Sequence, residues 1–346
     1  MLTGDLDRLL AAEIGAVAPR SVITSAGTWQ PGPPGSAPGT YATPVAFRLA
    51  GGDRAGQLRI ARTLAAALRR ADWVRSATVT GGYVTVTVTP DALAGLAARI
   101  TAAGPACARS TALAGTTAPA PPDPDLAAAA GWADARRRLA AFLTGRLAEV
   151  AGARTFPALH AERSPVPGPG PRRATGPVAD AIGYAGAGAI RYALARLPPG
   201  GPARVDSRHA AGHRLDVPAY AVRYAHAHAS SALRQAADLG LVLGETAEFG
   251  PRPLAHPSEQ VLLAELSWLP ERVAGAARRA RPDTFPRYLE RLAGAYFDCH
   301  EQCPAVWPGT TVGGPQIAAR LWLAAATATA LRAGLDLLGV DAPGRL

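Results

Sequence analysis

Hydrophobic positions recur with two different periods along this chain, and the change of period divides it. Near the start, Leu6, Leu9, Leu10 and Ile14 fall on one face of a helix over residues 4–16. A second helix near 54–70 turns Leu58, Ala61, Leu64 and Leu68 inward. Between them lie a Gly/Pro loop, WQPGPPGSAPGT, and the segment YATPVAFRLA. The stretch SATVTGGYVTVTVTP alternates instead. Val84, Val86 and Val88 interleave with Thr85, Thr87 and Thr89, and Gly81-Gly82 can supply a hairpin turn. Residues 1–100 therefore read as a small α/β domain.

Residues 101–176 read as linkers around one helix. TTAPAPPDPD is stiff, WADARRRLAAFLTGRLAEV is amphipathic, and ERSPVPGPGPRRATGP is a second Pro/Gly stretch carrying Arg172 and Arg173. From Pro177 onward the text is helical, in pieces near 177–196, 217–242, 257–280, 284–303 and 316–339 separated by Pro and Gly. The overall expectation is a mainly α chain: the α/β domain, then a helical segment over 177–221, then an all-α bundle over 222–346.

The helix containing YAHAHASSALRQAADLGL has two unlike sides. Val222, Ala225, Ala229, Ala232, Leu233 and Ala236 share one arc, small enough for close packing. Arg223, His226, Ser230 and Arg234 share the other, flanked by Tyr224, His228, Ser231 and Gln235. Periodicity alone favours an ordinary solvated face. The same residues also supply cations, rings and hydrogen-bonding groups of the kind that single-stranded RNA requires.

The net charge of +10 sharpens this, because it points to an acidic partner, nucleic acid first. The chain contains no Lys and no Asn, so part of its Arg excess reflects compositional bias. Three cysteines, Cys107, Cys299 and Cys303, do not make a disulfide framework and fit a reducing compartment. The opening MLTGDLDRLLAAEIGA carries acids where a signal peptide needs bases. The apolar stretch between Arg320 and Arg332 is short for a membrane span. A soluble cytoplasmic protein with no membrane partner is expected.

Other clusters are weaker. In CHEQC, Cys299 and Cys303 share a helical face while His300 points elsewhere, so core thiols are expected rather than a metal site. His209 and His213 in HAAGH read as loop residues, and Asp206 beside them lacks a nucleophile to serve. The Arg136–Arg138 run reads as a solvated face or a phosphate contact, and Trp268, Trp307 and Trp322 as core.

Several segments together resemble the arginyl-tRNA synthetase family. YAHAHASSALRQA resembles the opening of its DALR anticodon-binding domain, a Gln-Tyr-Ala-His-Ala-Arg run followed by Ser-x-Leu-Arg. HPSEQVLLAELSWLPERVAGAAR, YLERLAGAYFDCHEQCPAVW and ARLWLAAATATALRAGLDLLGVDAPGRL resemble its following helices and terminus. VADAIGYAGAGAIRYALAR is similar to its stem-contacting segment. GTYATPVAFRLA and GGYVTVTVTP resemble its additional N-terminal domain, which touches the tRNA elbow. The resemblance implies RNA-facing roles for Arg223, Tyr224, His226, His228 and Arg234, and for Tyr288, Tyr296, Arg320 and Arg345. His228 stands where the family has Arg, Arg223 where it has Gln, Leu346 where it has Met and Thr40 where it has Asp.

The family's nucleotide-binding catalytic domain has no counterpart in the text. Only about 75 residues separate the two similar parts, whereas each βαβ unit takes about 30. No His-x-Gly-His occurs, and a Lys-rich signature loop is impossible without Lys. The expectation is a non-catalytic protein without cofactor or metal, whose partner is tRNA, arginine tRNA being the first candidate. A second reading is an interaction subunit docking on a full-length synthetase or an aminoacyl-tRNA-using enzyme. A third is new hydrolytic chemistry in the middle segment.

Overall fold

The computed structural model describes residues 2–17, 29–157, 176–241, 243, 254–306 and 314–346. Arg172, Arg173 and Trp307 lie outside the described residues. The N-terminal part comprises α1 (Leu2–Val17), β1 (Gln30–Pro31), β2 (Thr40–Thr43), α2 (Val45–Ala50), α3 (Arg54–Leu68), β3 (Val74–Thr80), β4 (Tyr83–Val88), α4 (Pro90–Ala94) and α5 (Leu96–Ala103). Its sheet is antiparallel in the order β1-β2-β4-β3. Gly81 and Gly82 form the two-residue turn at φ of 59° and 89°, both in the region that only glycine adopts without strain, so the hairpin closes with the twist of its strands. The alternation then buries Val84, Val86 and Val88, while α3 covers the sheet with Leu64 and Leu68 buried, and α1, with Leu6 and Leu10 buried, packs against α3. Thr40 faces Thr87 across the strands, with the hydroxyls 3.1 Å apart.

The middle segment differs from the expectation. Thr117–Ala120 is a strand, β5, inside the stretch read as linker. It is followed by α6 (Trp132–Val150) and by β6 (Arg154–Pro157), which pairs with β5 in parallel. This is one βαβ unit. Pro119 costs little there because a strand at a sheet edge need not use every N–H. Gly145 lets α6 close onto β5: a Cβ at this position would lie 2.4 Å from the Pro119 carbonyl oxygen. Proline-rich text hid the strand.

The rest is helical: α7 (Pro177–Ala185), α8 (Ala187–Ala195), α9 (Ser207–Ala210), α10 (Pro218–Asp238), α11 (Pro257–Ser267), α12 (Leu269–Arg278), α13 (Thr284–Gln302) and α14 (Pro315–Leu338). The chain is thus mainly α, with an all-α C-terminal bundle behind a small α/β part. Two expected helices are each split, at Gly186 between α7 and α8 and at Trp268 between α11 and α12. The expected boundaries at 100 and 222 fall within α5 and α10.

Helix α14 is apolar all round because it is the axis of the bundle. It packs on α10, α13 and α5, and its 24 residues are buried along most of their length. It is therefore longer than the Arg320–Arg332 stretch, and its apolarity is spent on protein contacts. A Cβ on Gly334 would lie 2.4 Å from Leu289, so glycine sets how closely α13 approaches. The N-terminal part docks directly on the bundle. Tyr41 is fully buried, donates to Ser267 Oγ at 2.7 Å, and lies 5.0 Å from the Trp268 ring.

The chain reverses after α14 at Gly339, with φ of 69°. Arg191 of α8 packs against this glycine and donates from Nε to the Leu338 carbonyl at 2.6 Å. A Cβ at 339 would lie 2.7 Å from that Nε. Gly339→Ala is expected to lower stability by about 1–2 kcal/mol from the left-handed conformation alone, and by more if Arg191 is displaced. Urea unfolding measures the loss, and limited proteolysis should show earlier cleavage in residues 340–346.

Candidate nucleic-acid interface

Helix α10 carries tyrosines and a histidine four residues apart, at Tyr220, Tyr224 and His228, so they line one edge of the helix. The structure stacks them into a ladder. His213 lies 5.6 Å from Tyr220, and Tyr220 lies 5.6 Å from Tyr224, with interplanar angles of 15° and 11°. Tyr224 continues onto Phe297 of α13 at 5.8 Å, and His228 onto His300 at 4.4 Å. From Tyr220 onward the rings are half-buried, presenting edges and part of their faces.

At the far end of the ladder a groove of about 600 Å³ opens between α10 and the C-terminal residues. Tyr224, His228, Ser231, Arg234 and Gln235 form one wall, and Gly344, Arg345 and Leu346 the other. Among the described residues, neither Arg234 nor Arg345 has an ion-pair partner.

The chain's own C-terminus occupies part of the face assigned to RNA. Arg223 Nε donates to the Asp341 carbonyl at 3.3 Å, and His226 Nδ1 lies 3.0 Å from the Pro343 carbonyl oxygen. His226 is consequently buried, and burial lowers its pKa. The accessible part of this face thus lies toward the residues read only as flanks.

Three further assignments are corrected by burial. Tyr288 is fully enclosed and donates to the Glu265 carbonyl at 2.8 Å, so it cannot reach RNA. Tyr296 is also buried, and its hydroxyl lies 2.9 Å from His228 Nδ1, where it positions the imidazole. Arg320 turns inward to Glu259, whose carboxylate is fully buried, at 2.8 Å. Helical spacing could not foresee these outcomes, because Tyr296 and Phe297 are adjacent and packing alone decides which faces out. The signal for Tyr220 was in the sequence, in its four-residue spacing from Tyr224.

The remaining clusters have structural explanations. Cys299 and Cys303 are core thiols, and burial pushes Cys299 up to about 12. Cys303 accepts a long contact from Ser258 at 3.8 Å. Asp206 caps α9 through the amides of Arg208 and His209. Trp268 and Trp322 are buried. Arg137 and Arg138 pair with Asp134, whereas Arg136 holds the Pro198 and Gly201 carbonyls. On the N-terminal part, Phe47 and Tyr83 form an exposed edge-to-face pair 5.1 Å apart, which sequence reading did not single out.

A row of half-exposed rings beside unpaired guanidiniums has the chemistry of a surface for unpaired bases and phosphates. The comparisons are more specific. Residues 222–346 match the DALR anticodon binding domain. The chain is 40% identical over 172 residues to an arginine–tRNA ligase of Micrococcus luteus, which covers 48% of this chain and 30% of that one. The Frankia alni enzyme is 39% identical over 168 residues, with the same coverage. The chain thus spans about 30% of the length of these relatives. The fold as a whole resembles the Thermus thermophilus arginyl-tRNA synthetase, with a TM-score of 0.69, 14% identity and 100% of both chains covered. Residues 222–346 thus match a DALR anticodon binding domain, and about half of the chain is similar to arginine–tRNA ligases.

Two consequences are measurable. Removing the inward guanidinium, as in Arg320→Met, leaves the Glu259 carboxylate buried without its partner and should cost about 3–5 kcal/mol. Urea unfolding should show this loss. Burial lowers the pKa of both His228 and His300, and the neighbouring His300 adds to the effect on His228. The unfolded imidazoles protonate near 6.5, before the folded ones, so their contribution to stability falls as pH drops below about 6.5. Asp7 acts oppositely: burial and nearby Glu271 raise it to about 7, so its protonation favours the folded state. The imidazole effect is therefore read as a difference, with wild type losing more thermal stability between neutral and mildly acidic pH than His228→Asn/His300→Gln.

Proposed function

We propose that this chain is a non-catalytic, cytoplasmic tRNA-binding protein that holds the anticodon loop in the groove between α10 and the C-terminus. The observation that carries this is the juxtaposition of the stacked ladder with Arg234 and Arg345. Stacked rings accept splayed bases of any sequence, while guanidiniums neutralise phosphates. Arginine tRNA is the first candidate, given the arginine–tRNA ligases to which the C-terminal half is similar. The exposed Phe47–Tyr83 pair offers a second contact for the elbow.

The non-catalytic reading rests on the middle of the chain. Among the described residues, one βαβ unit with a two-stranded sheet stands between the two parts, and the sequence has neither His-x-Gly-His nor any Lys. Chemistry on ATP needs groups that offset charge developing on the phosphates. A second reading, docking on a full-length synthetase or an aminoacyl-tRNA-using enzyme, draws on the open edges of the β5–β6 sheet.

RNA that co-purifies with the protein should be enriched in one tRNA, and its affinity should fall steeply with salt. Arg234→Ala and Arg345→Ala should each reduce the slope of log K against log salt by about 0.7–0.9. Tyr224→Ala should cost about 1–3 kcal/mol of binding with little change in slope. Equal weak binding to all RNAs, or capture of a synthetase without RNA, would instead favour the docking reading.

A further inference from the structure

A second concave site lies at the other end of α10 from the groove. It is a cavity of about 220 Å³ between α8, α9 and the first turn of α10. Arg196, Arg204, Arg287 and His209 line it, over an apolar floor that includes Val205 and Ala210. Three guanidiniums do not converge on one cavity without cost unless something offsets their mutual repulsion.

Two carboxylates are close, and both are engaged. Glu290 accepts one N–H of Arg196, from Nε at 2.8 Å. Asp206 lines the cavity, but its carboxylate caps α9 through the amides of Arg208 and His209, at 2.9 and 3.3 Å. Arg287 uses one terminal nitrogen to hold the Arg196 carbonyl at 3.1 Å. Arg204 is exposed and has no ion-pair partner among the described residues. Donors therefore remain on all three guanidiniums. The wall adds more positive potential, because Val217, Pro218 and Ala219 begin a 21-residue helix that has no side-chain cap.

The cavity is also braced. Arg136 of α6 holds the carbonyls of Pro198 and Gly201 at 3.3 and 2.6 Å, fixing the loop between Arg196 and Arg204. Its volume lies below the roughly 300–1,000 Å³ of sites for drug-sized ligands. That size suits a compact oxyanion rather than a whole nucleotide. Guanidinium forks match the spacing of phosphoryl oxygens and can bind them in bidentate fashion.

We propose that this cavity is an oxyanion site that takes a phosphoryl group, supplied either by a small phosphorylated ligand or by an RNA backbone. It stands independently of the groove. The probe is labelled inorganic phosphate, measured by equilibrium dialysis against the full chain at constant ionic strength. One saturable site is expected. Arg204→Glu should weaken it about tenfold or more, equivalent to at least ~1.4 kcal/mol, with the thermal midpoint unchanged. Arg59→Glu, a charge reversal on the exposed side of α3, should leave it unaltered. Added tRNA separates the sources. Displacement of phosphate identifies a backbone contact, and retention identifies a small ligand. Absence of saturable uptake, or equal weakening by both reversals, would overturn the site. A protein that binds phosphate here yet ignores every tRNA would refute the groove reading alone.

Discussion

Arg191 holds the turn on which the candidate interface depends. Its Nε donates to the Leu338 carbonyl at the end of α14, another of its nitrogens reaches Asp123 at 2.6 Å, and its guanidinium lies over the Phe142 ring of α6 at 5.3 Å. One side chain thus ties α8, α6, the segment before α6 and the end of α14 together. Gly339 leaves room for it and supplies the left-handed turn. Beyond that turn the C-terminal residues run back across α10, and two of their carbonyls are held by Arg223 and His226. Only then do Arg345 and Leu346 come to face Arg234. The groove is a consequence of how the chain ends α14.

The same economy explains the middle of the molecule. In a larger parallel sheet, a βαβ unit is flanked by further strands and buried on both faces. Among the described residues β5 and β6 pair only with each other, and α6 covers them while also packing on α8 and α12. The N-terminal part meets the bundle directly through Tyr41, Ser267 and Trp268. Asp7 shares that junction with Glu271 of α12, and its raised pKa reflects burial beside a second acid. The two parts are joined by a packed, partly polar contact, with α5 lying on α14.

Much of this was legible in the text. The Val/Thr alternation and Gly81-Gly82 specify the hairpin, and the Leu spacings specify α1 and α3. The order of helical segments specified the bundle. What escaped depended on contacts that no local pattern carries. Pro119 argued against a strand, and only the parallel pairing with β6 and the space at Gly145 make it one. His226 reads as outward on a helical wheel, but residues far along the chain cover it. Tyr288, Tyr296 and Arg320 have polar atoms that could serve RNA or the core equally well. Burial decided for the core, and each of the three side chains found a polar partner there.

The choice of His at position 228 bears on what kind of contact the groove can make. An Arg there would be a fixed cation, fit for a phosphate. His228 instead sits 4.4 Å from His300 and 2.9 Å from the Tyr296 hydroxyl, half-buried, with its pKa lowered. Burial disfavours a proton on either imidazole, and the neighbouring His300 adds to this at His228. The middle of the ladder is therefore apolar and polarisable, suited to stacking. Among the residues lining the groove, positive charge is confined to Arg234 and Arg345 at its margin. Bases and phosphates would thus be met by different residues, the rings setting where a nucleotide lies and the guanidiniums how tightly its backbone is held. In the proposed binding mode the salt-dependent and stacking parts would reside in separate side chains and could be altered one at a time.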